Sequence, residues 1–158
     1  MKASVYIETT IVSYLLATPS KDLVQAAHQH ITRDWWAGRD RFALYVSAAV
    51  VAEARRGDAV AAARRLEVLS RIPLVAAGPR AGGLVRSLLR SGALPAKARL
   101  DAAHVAIAAV NGIDYLLTWN LRHLANATIR GKIDETCRHA GFVPPIICTP
   151  EELMEPKP

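Results

Sequence analysis

Ala3-Ser4-Val5-Tyr6-Ile7 runs directly into Glu8-Thr9-Thr10. Five residues rich in β-formers, short enough to be buried, read as a strand. A carboxylate and two hydroxyls close it. Similar short apolar runs recur along the chain: Phe42 to Ser47, Ile72 to Ala76, Asp114 to Thr118 and Pro145 to Thr149 read as four further strands. Helical patterns fill the intervals. Lys21 to Ala37 carries Leu23, Ala27, Ile31 and Trp35 at spacings of four, one apolar stripe. Ala48 to Arg55 starts straight after the second strand, and Asp58 to Ser70 opens on an N-cap residue, Asp58. Pro79 to Arg90, Ala96 to Asn111 and Ile129 to Ala140 follow, the last two stopped by Gly112 and Gly141.

Strands alternating with helices predict an α/β fold: a three-layer sandwich with a mainly parallel, about five-stranded sheet flanked by helices. Residues 1–153 are expected to form one domain, with 154–158 as a tail. Ligands of such sheets bind beyond the carboxyl ends of the strands, near a reversal of strand order, so a polar residue just past a strand gains weight.

Of the 158 residues 51% are hydrophobic and 22% charged, a balance that excludes wholesale disorder. Only two cysteines occur, Cys137 and Cys148, with no paired spacing, which excludes a disulfide scaffold and a zinc knuckle and suits the reducing cytoplasm. Lys2 is followed by few apolar residues before Glu8, which does not read as a secretion signal. Ala102 to Ile113 falls far short of the ~20 apolar residues of a membrane span. The net charge is +6, and fifteen of the twenty basic residues are Arg. Between Arg55 and Arg99 ten basic residues face two acids, a local +8 that favours a polyanionic partner.

Four polar positions fall where a site would form. Glu8 ends the first strand, Glu53 lies in the helix after the second, Asp101 opens the apolar helix Ala102 to Ala108, and Asn120 follows the strand ending at Thr118. Carboxylates gathered at strand ends raise one another's pKa values and cost stability unless a cation joins them. Mg²⁺ prefers oxygen ligands and promotes phosphodiester hydrolysis. A carboxylate-held metal beside a basic surface points to that chemistry.

On these residues the chain resembles a PIN-domain ribonuclease, most closely the VapC-type toxins of type II toxin–antitoxin pairs. The resemblance rests on Tyr6 to Leu15, on Ser47 with Glu53, on Asp101 to Ala109, and on Asp114 to Asn120. It implies a PIN-like parallel sheet and an endoribonuclease using Mg²⁺, with Mn²⁺ as substitute. Glu8 falls on the family's first acid, normally Asp, and Thr10 on the hydroxyl two residues later. Glu53 and Asp101 fall on the next two acids; these three would bind the metal. Asn120 stands where a fourth acid is usual, with Thr118 as the preceding hydroxyl. Glu8 is one methylene longer than the usual Asp, a change its carboxylate makes tolerable, whereas Asn120 removes a charge, so a single metal or slower catalysis is expected. Water would attack the phosphodiester in line, with no covalent intermediate.

The resemblance also implies a cognate antitoxin, for which Tyr14, Leu16 and Trp36 are the candidate contacts, and a homodimer with RNA as substrate. Arg55, Arg56, Arg99, His104 and His123 are the candidate RNA contacts. His104, one turn after Asp101, reads either as a base or phosphate donor, or as a core histidine bonded to backbone, the reading favoured here. Trp35 reads as core. Two rivals remain: a PIN-like domain that binds RNA or antitoxin without cutting, and an RNA-processing nuclease with no toxic role. A doubly wound nucleotide-binding protein is disfavoured, because Glu8-Thr9-Thr10 stands where a Gly-rich loop would be needed.

Overall fold

A computed structural model describes residues 1–156. Its strands are β1 (Ser4–Ile7), β2 (Ala43–Tyr45), β3 (Tyr115–Leu117) and β4 (Ile146–Cys148). They form a parallel sheet in the order β2-β1-β3-β4. The helices are α1 (Thr9–Leu16), α2 (Leu23–Ala37), α3 (Ala48–Ala54), α4 (Ala59–Leu69), α5 (Gly78–Arg90), α6 (Arg99–Val110) and α7 (Ala127–His139). Val5, Tyr6 and Ile7 are all fully buried. Successive strand residues point to opposite faces, so both faces of β1 are covered, and the expected three layers follow.

One expected strand is a single bridge. Ile72 to Ala76 pairs with the end of β2 only through Val46 and Leu74, with bonds from Val46 N to Pro73 O (3.0 Å) and from Val75 N to Val46 O (2.8 Å). Pro73 has no N–H to extend the ladder, and Leu74 stays largely exposed. Among the described residues the sheet therefore has four strands rather than five.

Helix α6 is apolar nearly all round: Ala102, Val105, Ala106, Ile107, Ala108 and Ala109 are buried. It ends in a Schellman motif, with Gly112 N bonded to Ala109 O (3.1 Å) and Ile113 N to Ala108 O (3.0 Å). Gly112 takes φ +64°, which a side chain would oppose. Just beyond, Asp114 accepts from Ser4 N (2.7 Å) and Ser4 Oγ (2.8 Å), fastening the start of β1 to the approach to β3. Trp35 is buried and stacked on Phe42, as its place in the stripe predicts. Leu153 and Met154 pack against the core and Glu155 pairs with Arg41 (3.0 Å); of the expected tail, Lys157 and Pro158 lie outside the described residues. Among the described residues no helix is long and apolar enough to cross a membrane.

Candidate active site

Order β2-β1-β3-β4 makes the chain leave β1 for one side of the sheet and return on the other, so the crevice beyond β1 and β3 is the reversal point. Glu8 follows β1 there and Thr118 follows β3. Glu8 is 3% exposed and caps α1. Its Oε2 accepts from Thr10 N (3.1 Å), Thr10 Oγ1 (2.5 Å) and Thr118 Oγ1 (2.7 Å). The extra methylene relative to Asp lets one carboxylate cap its own helix and reach the neighbouring strand. Thr10 Oγ1 in turn accepts from Trp119 N (2.8 Å), and Thr118 Oγ1 from Asn120 N (2.9 Å). Thr10 and Thr118 thus clasp Glu8 and tie it to the backbone just after β3, while Asn120 joins only through its backbone N–H.

Glu53 reaches the same crevice from α3, which Ser47 caps. Its Oε1 accepts from Thr9 Oγ1 (2.8 Å) and meets His104 Nε2 (2.5 Å). His104 Nδ1 lies 2.7 Å from Tyr6 Oη, which lies 2.6 Å from Ser47 Oγ. Ligand atoms of Glu8, Glu53 and His104 all fall within 4.8 Å of one another.

The expected trio of Glu8, Glu53 and Asp101 is not the group that the structure gathers. Asp101 lies outside that cluster, and protein donors engage both of its oxygens: Asn120 Nδ2 at Oδ1 (3.1 Å) and His123 Nδ1 at Oδ2 (3.0 Å). Asn120 Oδ1 also accepts from His123 N (3.0 Å). Asn120 is therefore a neutral clamp holding Asp101 to the loop after β3. Asp101 and His104 are one turn apart, but they look at different neighbours.

His104 corrects two expectations. It is fully buried with both ring nitrogens engaged, so it presents nothing to RNA. Its partners are side chains rather than backbone. Arg55, Arg56 and Arg99 are exposed, as RNA contacts must be, and His123 is half-buried. Of the antitoxin candidates, Leu16 and Trp36 line a groove of about 630 Å³ with Phe42, Leu44, Arg39 and Arg71, which is not lined by Glu8, Glu53 or Asp101. Tyr14 lies elsewhere, against His28 and Trp119. Sequence reading missed Tyr6 and Thr9; a tyrosine inside a buried strand needs a partner for its hydroxyl, and that was the available signal.

The two central carboxylates are driven apart. Burial raises the pKa of Glu8, against the opposing charge of His104 and the bonds from Thr10 and Thr118. Burial also works to raise that of Glu53, but the His104 bond and charge, Thr9 and Arg56 outweigh it and leave Glu53 lowered. Burial pushes Cys137 and Cys148 up to about 11 and about 12, so they remain inert thiols. Glu8 Oε1 and Glu53 Oε2 have no hydrogen-bond partner among the described residues, and neither is sealed from solvent. Two carboxylates, each with one oxygen free of protein donors, suit a hard divalent cation, and the high pKa of Glu8 is the penalty that such a cation relieves.

No family model matches the sequence, and no curated protein does. Among solved structures, a chain of VapBC2 from Rickettsia felis, crystallised with a DNA fragment from their promoter, matches with a TM-score of 0.55. The identity is 15%, over 92% of this chain and 98% of that one. At that identity the likeness speaks to the fold, and the fold is the PIN-like α/β one expected.

Proposed function

We propose that this chain is a divalent-metal-dependent endoribonuclease and the toxin of a type II toxin–antitoxin pair, acting in the cytoplasm as a homodimer. The observation that carries the reading is the pairing of Glu8 and Glu53 at the strand reversal, each with a carboxylate oxygen that no group among the described residues claims. These two residues would hold Mg²⁺, or Mn²⁺ in its place, with Asp101 contributing through water. The cation would supply charge neutralisation at the phosphate and a more acidic water. Thr10 and Thr118 hold Glu8 in position, and Thr9 holds Glu53. Arg55, Arg56 and Arg99, exposed on the basic segment, would take the RNA backbone. The likeness to a VapBC2 chain supports an antitoxin partner, and the groove bearing Leu16 and Trp36 is its candidate seat.

Incubation with RNA in Mg²⁺ or Mn²⁺ tests the reading. Cleavage is expected, abolished by EDTA and by Glu8→Gln or Glu53→Gln. Undiminished cleavage in chelator excludes it. One observation favours a second reading, a domain that binds RNA or antitoxin without cutting: Asn120 replaces an acid, and the oxygens of Asp101 are engaged. RNA retained but uncut at every metal concentration selects that alternative.

A further inference from the structure

Behind Glu53 stands a buried chain of polar groups drawn from four parts of the sequence. Ser47 Oγ, Tyr6 Oη, His104 and Glu53 Oε1 follow one another at 2.6, 2.7 and 2.5 Å. Tyr6 and His104 are fully buried and Ser47 nearly so. We propose that His104 is a positioning residue rather than a metal ligand: it donates its Nε2–H to Glu53 Oε1, Tyr6 and Ser47 fix its ring, and Glu53 Oε2 is thereby left for the cation.

The direction of the chain follows from what each atom can do. An ionised carboxylate only accepts, so the contact with His104 requires a proton on Nε2. If the ring is neutral, Nδ1 is bare and accepts from Tyr6, whose oxygen accepts from Ser47. If the ring is charged, Nδ1 donates to Tyr6 and Tyr6 to Ser47. The inference needs only the Nε2–H, which both forms carry. A protonated nitrogen has no lone pair for a metal, so the two roles exclude each other. Thr9 Oγ1 places a second donor on the same Oε1 at 2.8 Å. Both protein donors converge on one oxygen and neither touches the other.

Energetics favour the same view. The other buried side chains of α6 are alanine, valine and isoleucine, and an aliphatic residue at 104 would suit that packing. A buried imidazole and phenol are costly unless every polar atom is paired, and here each ring nitrogen and the phenol oxygen is. Groups behind a ligand commonly change metal affinity about 10–100-fold when removed.

The inference rests on the metal-site reading, and its test separates the two. Nitrogen NMR of the full chain with labelled histidine is expected to show His104 Nε2 protonated. Pulsed EPR of the Mn²⁺-loaded chain is expected to show no directly coordinated nitrogen. Mn²⁺ affinity should fall about tenfold or more in Tyr6→Phe and in His104→Leu, and recover in part in His104→Gln, whose amide restores a donor. A bare Nε2, a nitrogen bound to Mn²⁺, or unchanged affinity in Tyr6→Phe overturns the positioning role while leaving the metal site standing. Wild-type chain that takes up no Mn²⁺ overturns the metal reading itself and this inference with it.

Discussion

Asn120 shows how one side chain sets the character of the site. Its amide donates to Asp101 Oδ1 at 3.1 Å, and its carbonyl accepts from His123 N at 3.0 Å. In Asn120→Asp that donor becomes an oxygen facing an oxygen. Without metal the variant is expected to lose about 1–3 kcal/mol, the cost of a contact left unsatisfied. With Mn²⁺ it should regain stability and bind additional metal, because two adjacent carboxylates then invite a cation. Thermal melts and metal titrations with and without Mn²⁺ check this; equal behaviour of variant and wild type in both would mean that position 120 does not shape the site. Glu8, Thr10 and Thr118 were legible in the sequence because each lies within three residues of a strand end. The partners of Asp101 were not, since nothing in the chain states that His123 folds over it.

At the scale of elements, local patterns located every helix expected between strands within a few residues. Capping is local chemistry: Asp58 accepts from Ala61 N at 2.9 Å, as its place before a helical run predicts. Gly112→Ala puts a side chain at φ +64° with open space around it, so strain alone acts, and about 1 kcal/mol of stability should be lost in urea unfolding. The Ser4–Asp114 tie gives a pH signature. Backbone and hydroxyl bonds from Ser4 lower the pKa of Asp114, so its contribution is present above the ordinary carboxylate value of about 3.9 and is lost as pH falls through the lower folded one. Asp114→Ala should therefore unfold at lower urea than wild type at pH 7, with the gap narrowing as pH falls below the ordinary carboxylate value; a constant gap would assign the effect to packing. The third expected strand failed because apolar β-formers do not guarantee a ladder, and Pro73 removes the donor that would have continued it.

Across the whole molecule, charge and topology act together. Nine of the ten basic residues from Arg55 to Arg99 are exposed, and the tenth, Arg65, spends its guanidinium on the carbonyls of Ala54 and Arg56. Binding of single-stranded RNA should weaken steeply with salt. Each of Arg55→Ala, Arg56→Ala and Arg99→Ala should reduce the slope of log affinity against log salt by about 0.7. A slope unchanged in all three would exclude these arginines as RNA contacts.

The sequence by itself determined the class of the fold, the places of the helices after α1, its charge and most of the polar residues at the strand ends, because periodicity, capping and composition are local properties. Only the tertiary structure decided which of those residues meet. Strand order brings Glu8 against Thr118, 110 positions away, and the roll of α6 about its axis turns His104, not Asp101, toward Glu53. A helix this apolar has no polar face to announce its orientation, so packing against its neighbours sets that angle, and with it the membership of the site.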